Sequence, residues 1–197
     1  SAEGGMAVTR NAALADRMAL YRSHGITRDP ALMTHAADGP WYYQQVDLGF
    51  NYRMTELQAA LGLSQLGRLD EFVARRHSLA ARYDSLLAGL PLETPWQHQD
   101  SYSGLHLYVI RLRLEALQVT HLQVFESLRQ QGVGVNLHYI PVHTQPYYQA
   151  MGFVPEDFPQ AMAYYREAIS LPMYHTLTEQ QQDQVVAALI EACHVKD

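Results

Sequence analysis

Apolar side chains along the chain follow two periods, and each period predicts one kind of element. Steps of three and four residues, opened by a polar cap and closed by a breaker, predict helices over about 11–23, 120–132, 157–168 and 178–194. Alternation of apolar and polar positions predicts strands over 4–8, 105–114, 133–139 and 170–173. The stretch 24–53 is rich in Gly, Pro, Asp and aromatic residues without a sustained period, which favours a long ordered loop. Such loops are often functional.

The longest helical pattern follows a capping box formed by Thr55 and Gln58 and continues to Gly89. It predicts one long helix or two nearly collinear helices, with Gly62 and Gly67 as candidate kink points. At about 1.5 Å per residue, roughly 34 residues would run about 50 Å, which is more than one small domain covers. The pattern therefore favours a connection between two bodies.

Composition limits the classes of function. With 197 residues and 48% hydrophobic residues, the chain can bury one sizeable core in one or two domains. A net charge of -6 with 17% charged residues argues against nucleic acid as a partner. No run approaches the roughly 20 apolar residues that span a bilayer, and no basic-then-apolar leader opens the sequence. We therefore predict no membrane partner and a cytoplasmic location.

Cysteine and lysine are each present once. Cys193 lies on the apolar face of the last predicted helix, so we expect a buried thiol, and a disulfide within the chain is excluded. The single lysine is Lys196, next to the C-terminus, while all other basic residues are arginines. The interior of the chain therefore offers no lysine that could hold a carbonyl cofactor.

The histidines do not form a metal-binding pattern. Ten are present, but none pairs with another at i, i+4, and none has a cysteine partner, so we predict no metal site. His138 and His143 differ from the rest because they flank a predicted strand end at which Pro141 stops ladder pairing. Spacing alone leaves open whether they form a site at the sheet rim or a plain structural turn.

The segment 49–55 places an amide, a phenol and a guanidinium immediately before a predicted helix start. Free backbone N–H groups and the helix dipole favour an anion at such a position. Asn51 and Arg53 could therefore hold a phosphate, and the planar fork of the arginine suits that group. The alternative is an ordinary turn in which both side chains satisfy local carbonyls. Gly4 and Gly5 predict a turn without indicating its use.

Five segments together carry a resemblance to a known family: Ala-Glu-Gly-Gly-Met at 2–6, Arg-Ser-His-Gly-Ile at 22–26, Gly-Phe-Asn-Tyr-Arg-Met-Thr-Glu at 49–56, Tyr-Ile-Pro-Val-His-Thr-Gln-Pro-Tyr-Tyr at 139–148 and Leu-Pro-Met-Tyr at 171–174. In order and spacing they resemble the DegT/DnrJ/EryC1/StrS aminotransferases over nearly the whole chain. Within that family the sequence is most similar to the UDP-4-amino-4,6-dideoxy-N-acetyl-β-L-altrosamine transaminases of pseudaminic acid biosynthesis.

The resemblance implies an α/β fold-type I enzyme that uses pyridoxal 5′-phosphate (PLP). Residues 1–58 would be the C-terminal remainder of the large PLP-binding domain, and residues 59–197 the connecting helix and the small C-terminal α+β domain. Such enzymes are homodimers with shared active sites. They transfer an amino group, typically from glutamate, to a 4-keto nucleotide sugar, here in pseudaminic acid or related surface-sugar biosynthesis.

The resemblance also assigns roles to particular residues. The family's cofactor lysine precedes the Glu-Gly-Gly turn, so it would lie upstream of Ser1, and the chain would hold no catalytic residue and be inactive alone. Asn51 resembles the asparagine that reaches the cofactor phosphate of the neighbouring subunit, and Arg53 lies where phosphate or substrate contact is expected. His143 and Tyr139 match a segment at the mouth of the sugar-nucleotide site. His24 matches a histidine near the subunit interface.

Two other functions remain open at this point. One is a PLP-dependent sugar dehydratase of the same family, in which histidine replaces the lysine. The other is a non-catalytic sugar-binding or regulatory remnant. For the isolated chain we predict instability or abnormal association, because a strand over 4–8 would expose its unpaired edge without the rest of a large domain.

Overall fold

A computed structural model describes residues 3–193, which form two compact units over 3–68 and 69–193. The alanine of the predicted 2–6 turn and the last residue of the final predicted helix, His194, lie outside the described residues. The units divide after Arg68, ten residues beyond the boundary predicted at residue 58. The assignment of residues 1–58 to a larger cofactor domain stays a prediction.

The first unit contains two helices and a minimal antiparallel ladder: α1 (Ala12–Arg22), β1 (Ile26–Thr27), β2 (Gln44–Gln45) and α2 (Glu56–Leu66). The side chain of Asn11 caps α1 by accepting a hydrogen bond from the N–H of Leu14 at 3.1 Å. The predicted capping box of Thr55 and Gln58 opens α2. The loop predicted over 24–53 is confirmed for residues 28–43, which form no helix or strand, but the paired strands β1 and β2 lie within its bounds and were not predicted.

The structure corrects the strand predicted for this unit and decides whether the long helical pattern is one helix or two. The predicted strand over 4–8 is wrong, because residues 4–9 are irregular. Alternating residues form a strand only where a partner edge is available, and Met6 and Val8 are each 84% exposed. Residues 4–8 therefore present no unpaired strand edge, and the instability or abnormal association of the isolated chain stays a prediction. The long helical pattern is two helices, because α2 ends at Leu66 with Gly67 as its C-cap, while Gly62 lies inside α2.

The second unit is an α+β body whose elements are α3 (Leu69–Leu86), β3 (Leu92–Glu93), β4 (Tyr108–Leu112), α4 (His121–Gln130), α5 (Pro146–Gln149), α6 (Pro159–Glu167), β5 (Ala168–Leu171) and α7 (Glu179–Ala192). The strands form an antiparallel sheet in the order β3-β4-β5. Tyr108 lies opposite Leu171, and Leu92 lies opposite Leu112. Capping boxes open α4 at Thr120 and α7 at Thr178.

The predicted strand over 133–139 is also wrong. It reduces to one isolated antiparallel bridge between Asn136 and Ser170, with backbone hydrogen bonds of 2.8 and 3.3 Å. Two residues further on, Nδ1 of His138 lies 2.7 Å from the Ser170 hydroxyl oxygen. A side-chain hydrogen bond thus stands where the next backbone pair of a strand would form. The alternation of apolar and polar residues does not predict this.

The hydrophobic core belongs entirely to the second unit within the part of the chain that the structure describes. It joins α3, the sheet, α4 and α7, and its fully buried members include Leu79, Tyr83, Ile110, Leu128, Ile169 and Leu189. Cys193 is free and buried, which confirms that prediction, and burial raises the pKa of its thiol to about 11.

Candidate functional site

The segment that carries Asn51 runs antiparallel to the end of α1. Asn51 pairs with Ser23 in an isolated bridge. The N–H of Phe50 donates to the carbonyl of Tyr21 at 2.7 Å, and the carbonyl of Phe50 accepts from the N–H of His24 at 2.9 Å. The structure therefore brings together Asn51 and His24, two of the residues that the sequence proposed for the site.

Two glycines allow this close approach of backbones. Gly25 has φ +69°, in the left-handed region, and a Cβ atom there would overlap the carbonyl oxygen of Asp47. A Cβ atom at Gly49 would overlap the backbone nitrogen of Gly25. His24 also has a positive φ, 64°, which is uncommon for a residue with a side chain. The geometry therefore requires glycine at both positions.

The side chains of Asn51 and Arg53 are exposed and form no hydrogen bond with any other residue from 3 to 193. Both precede α2, whose first turn is capped by Thr55, with a 3.3 Å hydrogen bond from the N–H of Gln58. Amide and guanidinium groups are strong donors to phosphate oxygens. The fold thus leaves two phosphate-type donors free beside a helix N-terminus.

The second unit holds the other two predicted residues on one short segment. Nδ1 of His138 meets the Ser170 hydroxyl, and Tyr139 extends from there with 72% of its surface exposed. His143 is 8% exposed and stacks on Phe158 with ring centroids 4.3 Å apart. Its Nε2 is buried without a hydrogen-bond partner among the described residues. Tyr139 is open to a ligand, whereas His143 is fixed in place with one unsatisfied nitrogen.

Sequence reasoning missed the aromatic residues around His143. Phe153 lies between Tyr148 and Phe158, at centroid distances of 6.3 and 6.1 Å. Tyr148 lies in α5, whereas Phe153 and Phe158 lie in irregular segments, so helical or strand spacing could not group them. The Pro-Tyr-Tyr sequence at 146–148 was the one available signal.

The long loop of the first unit encloses an open pocket of about 470 Å³. Nε2 of His35 lies 2.7 Å from the Tyr42 hydroxyl, and its Nδ1 lies 3.0 Å from the hydroxyl of Thr34. The buried Gln44 side chain accepts from the N–H of Thr34 at 2.8 Å. This polar network supports the prediction that the loop is ordered.

Among residues 3–193, no group of three or more His, Cys, Asp or Glu side chains is arranged to hold a metal ion. The same residues contain no helix that is both long and apolar enough to cross a membrane.

Comparison with known proteins decides the family. The model of the DegT/DnrJ/EryC1/StrS aminotransferase family matches residues 1–190. The chain belongs to this family. The resemblance carried by the five sequence segments is therefore confirmed.

Three relatives illustrate the similarity of this DegT/DnrJ/EryC1/StrS member to known proteins. The spore coat polysaccharide biosynthesis protein SpsC of Bacillus subtilis is 38% identical over 95% of the chain and 49% of SpsC. PseC of Helicobacter pylori, an aminotransferase involved in the biosynthesis of pseudoaminic acid, matches with TM-score 0.81 and 25% identity over 94% of the chain and 47% of PseC. The proposed sugar aminotransferase Spr1654 of Streptococcus pneumoniae matches with TM-score 0.80 and 26% identity over 91% of the chain and 45% of Spr1654.

The chain spans about half the length of these relatives. Its structural neighbours are fold-type I sugar aminotransferases, which agrees with the predicted fold class, and its own units mix helices and strands. Spr1654 is also solved in a PLP-form. Family membership implies PLP as the cofactor, as predicted.

The described residues of this family member fit one part of that cofactor. Asn51 and Arg53 supply unpaired donors suited to its phosphate, next to a capped helix. Residues 3–193 include no lysine, so they offer no amine to hold its carbonyl carbon. The donors of Asn51 and Arg53 thus suit the phosphate end of the cofactor.

Proposed function

We propose that the chain is part of a PLP-dependent aminotransferase that transfers an amino group, from glutamate, to a 4-keto nucleotide sugar. The names of SpsC and PseC support a role in surface-sugar biosynthesis, with pseudaminic acid or a related sugar as the product class. Residues 1–58 would complete a large PLP-binding domain, and residues 59–197 would form the connecting helices and the small domain. The complete enzyme would be a homodimer with shared active sites.

The observation that carries the proposal is the donor pair Asn51 and Arg53. Surface amides and guanidiniums commonly pair with nearby carbonyls or carboxylates, yet these two have no partner among residues 3–193. Asn51 is instead held beside α1 by a backbone bridge and close-packed glycines, and Arg53 follows two residues later. Recognition of a phosphate needs donors that are held in position and not already paired.

Each residue has a defined task in this proposal. PLP, when bound, carries the amino group between donor and acceptor and stabilises negative charge on the reacting carbon. Asn51 donates its side-chain N–H to the cofactor phosphate, and Arg53 binds that phosphate or an anionic group of the substrate. Tyr139 and His143 contact the nucleotide sugar at the mouth of the site, and His24 lies near the subunit interface.

The proton shuttle lies elsewhere. In the family a lysine both holds the cofactor and moves the proton. The single lysine of this chain is Lys196, far along the sequence from the Glu-Gly-Gly turn. We therefore propose that the reactive lysine precedes that turn in the complete protein, and that residues 1–197 alone do not transaminate.

Replacement of Asn51 by alanine in the complete protein tests the assignment. Loss of a hydrogen bond to a charged phosphate should raise the dissociation constant of PLP about tenfold or more. The measurement is a PLP titration of the apoprotein, followed by absorbance and fluorescence. Asn136→Ala is the matched control. That asparagine lies in the second unit, and its side-chain oxygen already accepts a hydrogen bond from the N–H of Leu137. Equal PLP affinity in Asn51→Ala and the control would remove Asn51 from the site.

A further inference from the structure

Two exposed side chains, those of Arg17 and Asp47, and the half-buried side chain of Tyr21 link α1 to the segment that precedes Asn51. A guanidinium N–H of Arg17 donates to the Tyr21 hydroxyl at 2.6 Å, and that hydroxyl donates to Oδ2 of Asp47 at 2.8 Å. The other carboxylate oxygen of Asp47 accepts from the N–H of Leu48 at 2.8 Å. The Tyr21 hydroxyl is thus the central member of this chain of hydrogen bonds.

The backbone of the same helical turn holds the residues on both sides of Asn51. The carbonyl of Tyr21 accepts from the N–H of Phe50 at 2.7 Å, and the carbonyl of Arg22 accepts from the N–H of Tyr52 at 3.0 Å. Tyr21 therefore contacts the segment through its carbonyl at Phe50 and through its hydroxyl at Asp47. Two attachment points fix the direction of a short segment, whereas one would leave it free to pivot.

We propose that Tyr21 is a positioning residue for Asn51: its hydroxyl, held between Arg17 and Asp47, fixes segment 47–51 so that the Asn51 amide faces the cofactor phosphate. The inference rests on the phosphate-binding role proposed for Asn51. Tyr21 itself touches neither the cofactor nor the substrate.

The charges of the network suit this task. The hydrogen bond from Tyr21 holds the pKa of the Asp47 carboxyl below its ordinary value, helped by the N–H of Leu48. The same tyrosine raises the pKa of Arg17. The outer members are therefore a carboxylate and a guanidinium at neutral pH, and a hydroxyl between opposite charges has one preferred direction.

The network is separate from the packing that stabilises the chain. No residue of α1 is buried, and the core lies in the second unit. Loss of the Tyr21 hydroxyl, which lies outside that core, should therefore leave the melting temperature of the second unit unchanged. A change in cofactor affinity without a change in melting would be an effect on orientation.

The test is Tyr21→Phe in the complete protein, with Tyr43→Phe as the matched control. Tyr43 is a tyrosine of the same unit with 52% exposure. Tyr21→Phe removes one hydroxyl and keeps the ring, so we expect the PLP dissociation constant to rise about threefold to tenfold. The control should keep wild-type affinity. Asp47→Asn, which keeps an acceptor oxygen, should retain more affinity than Asp47→Ala.

A double-mutant cycle separates positioning from a general loss of structure. If Tyr21 acts through Asn51, Tyr21→Phe combined with Asn51→Ala should bind PLP no more weakly than Asn51→Ala alone. Additive losses, or a lowered melting temperature in Tyr21→Phe, would overturn the inference. Wild-type affinity in Tyr21→Phe, with weak binding in Asn51→Ala, would overturn it while leaving the proposed function intact. Wild-type affinity in Asn51→Ala would overturn both this inference and the phosphate-binding role proposed for Asn51.

Discussion

The two units of the molecule are built from similar helices but differ in what those helices bury. In the second unit, α3, α4 and α7 each bury side chains in the core, and the sheet buries alternate residues of β4 and every residue of β5. In the first unit, α1 and α2 bury no residue at all. Only Gly25, Thr27 and Gln44 are buried between residues 3 and 68.

Residues 3–68 contribute nothing to the hydrophobic core. Large apolar side chains there are exposed, by 84% at Met6, 82% at Leu48 and 85% at Leu57. Apolar surface exposed to this extent favours packing against other protein surface. We infer that the first unit depends on further protein for its stability, as the end of a larger cofactor domain would. The second unit carries its own core.

Amide hydrogen exchange rates in the 197-residue chain should show the largest difference between the two units. Amides of α7 should exchange about a thousandfold or more slowly than in the unfolded chain, because they open only with the core. Amides of α1 should exchange close to the unfolded rate. Mass spectrometry of peptides from both helices measures this, and equal protection of α1 and α7 would show that the first unit is stable alone.

A pair of leucine substitutions should give the next largest difference. Leu128 is fully buried in α4, whereas Leu63 of α2 is 73% exposed. Leu128→Ala should lower the free energy of unfolding by about 2–5 kcal/mol, since it leaves a cavity. Leu63→Ala should change it by no more than about 0.5 kcal/mol. Urea unfolding followed by circular dichroism tests both, and similar losses would contradict the comparison.

Substitution of helix caps should give the smallest difference in unfolding free energy between the two units. The same Thr-x-x-Gln capping box opens α2 in the first unit and α4 and α7 in the second. Thr178→Ala should lower the free energy of unfolding by about 1 kcal/mol, and Thr120→Ala by a similar amount. Thr55→Ala should leave the unfolding midpoint unchanged, because α2 takes no part in the cooperative core. A loss at Thr55 equal to that at Thr178 would place α2 within the same folding unit.

The sequence predicted what depends on local chemistry. All three capping boxes form where Thr and Gln stand three residues apart, because a cap needs only its own turn. The predictions of strands over 4–8 and 133–139 were wrong because a strand does not depend on local chemistry alone. A strand requires a partner edge, and Asn136 finds one for a single bridge while residues 4–8 find none.

In the candidate site, too, some features follow from the local sequence and others only from the fold. Asn51 and Arg53 were visible because they stand immediately before a capped helix. The hydrogen bond between Tyr21 and Asp47 joins residues 26 positions apart, and neither residue has a spacing that suggests the other. The stacking of Phe158 on His143 is likewise a product of the fold. Sequence pattern identifies the groups that could bind, and the fold decides which groups hold them in place.

Borohydride reduction of the complete protein, followed by peptide mapping, decides whether this chain is part of a PLP-dependent sugar aminotransferase. Reduction fixes the cofactor to the residue that holds it, and mass spectrometry identifies that residue. The account predicts a cofactor-bearing lysine just before the Glu3-Gly4-Gly5 turn. A histidine there, with no fixed cofactor, would favour the dehydratase, and a complete protein that retains no PLP would contradict the account.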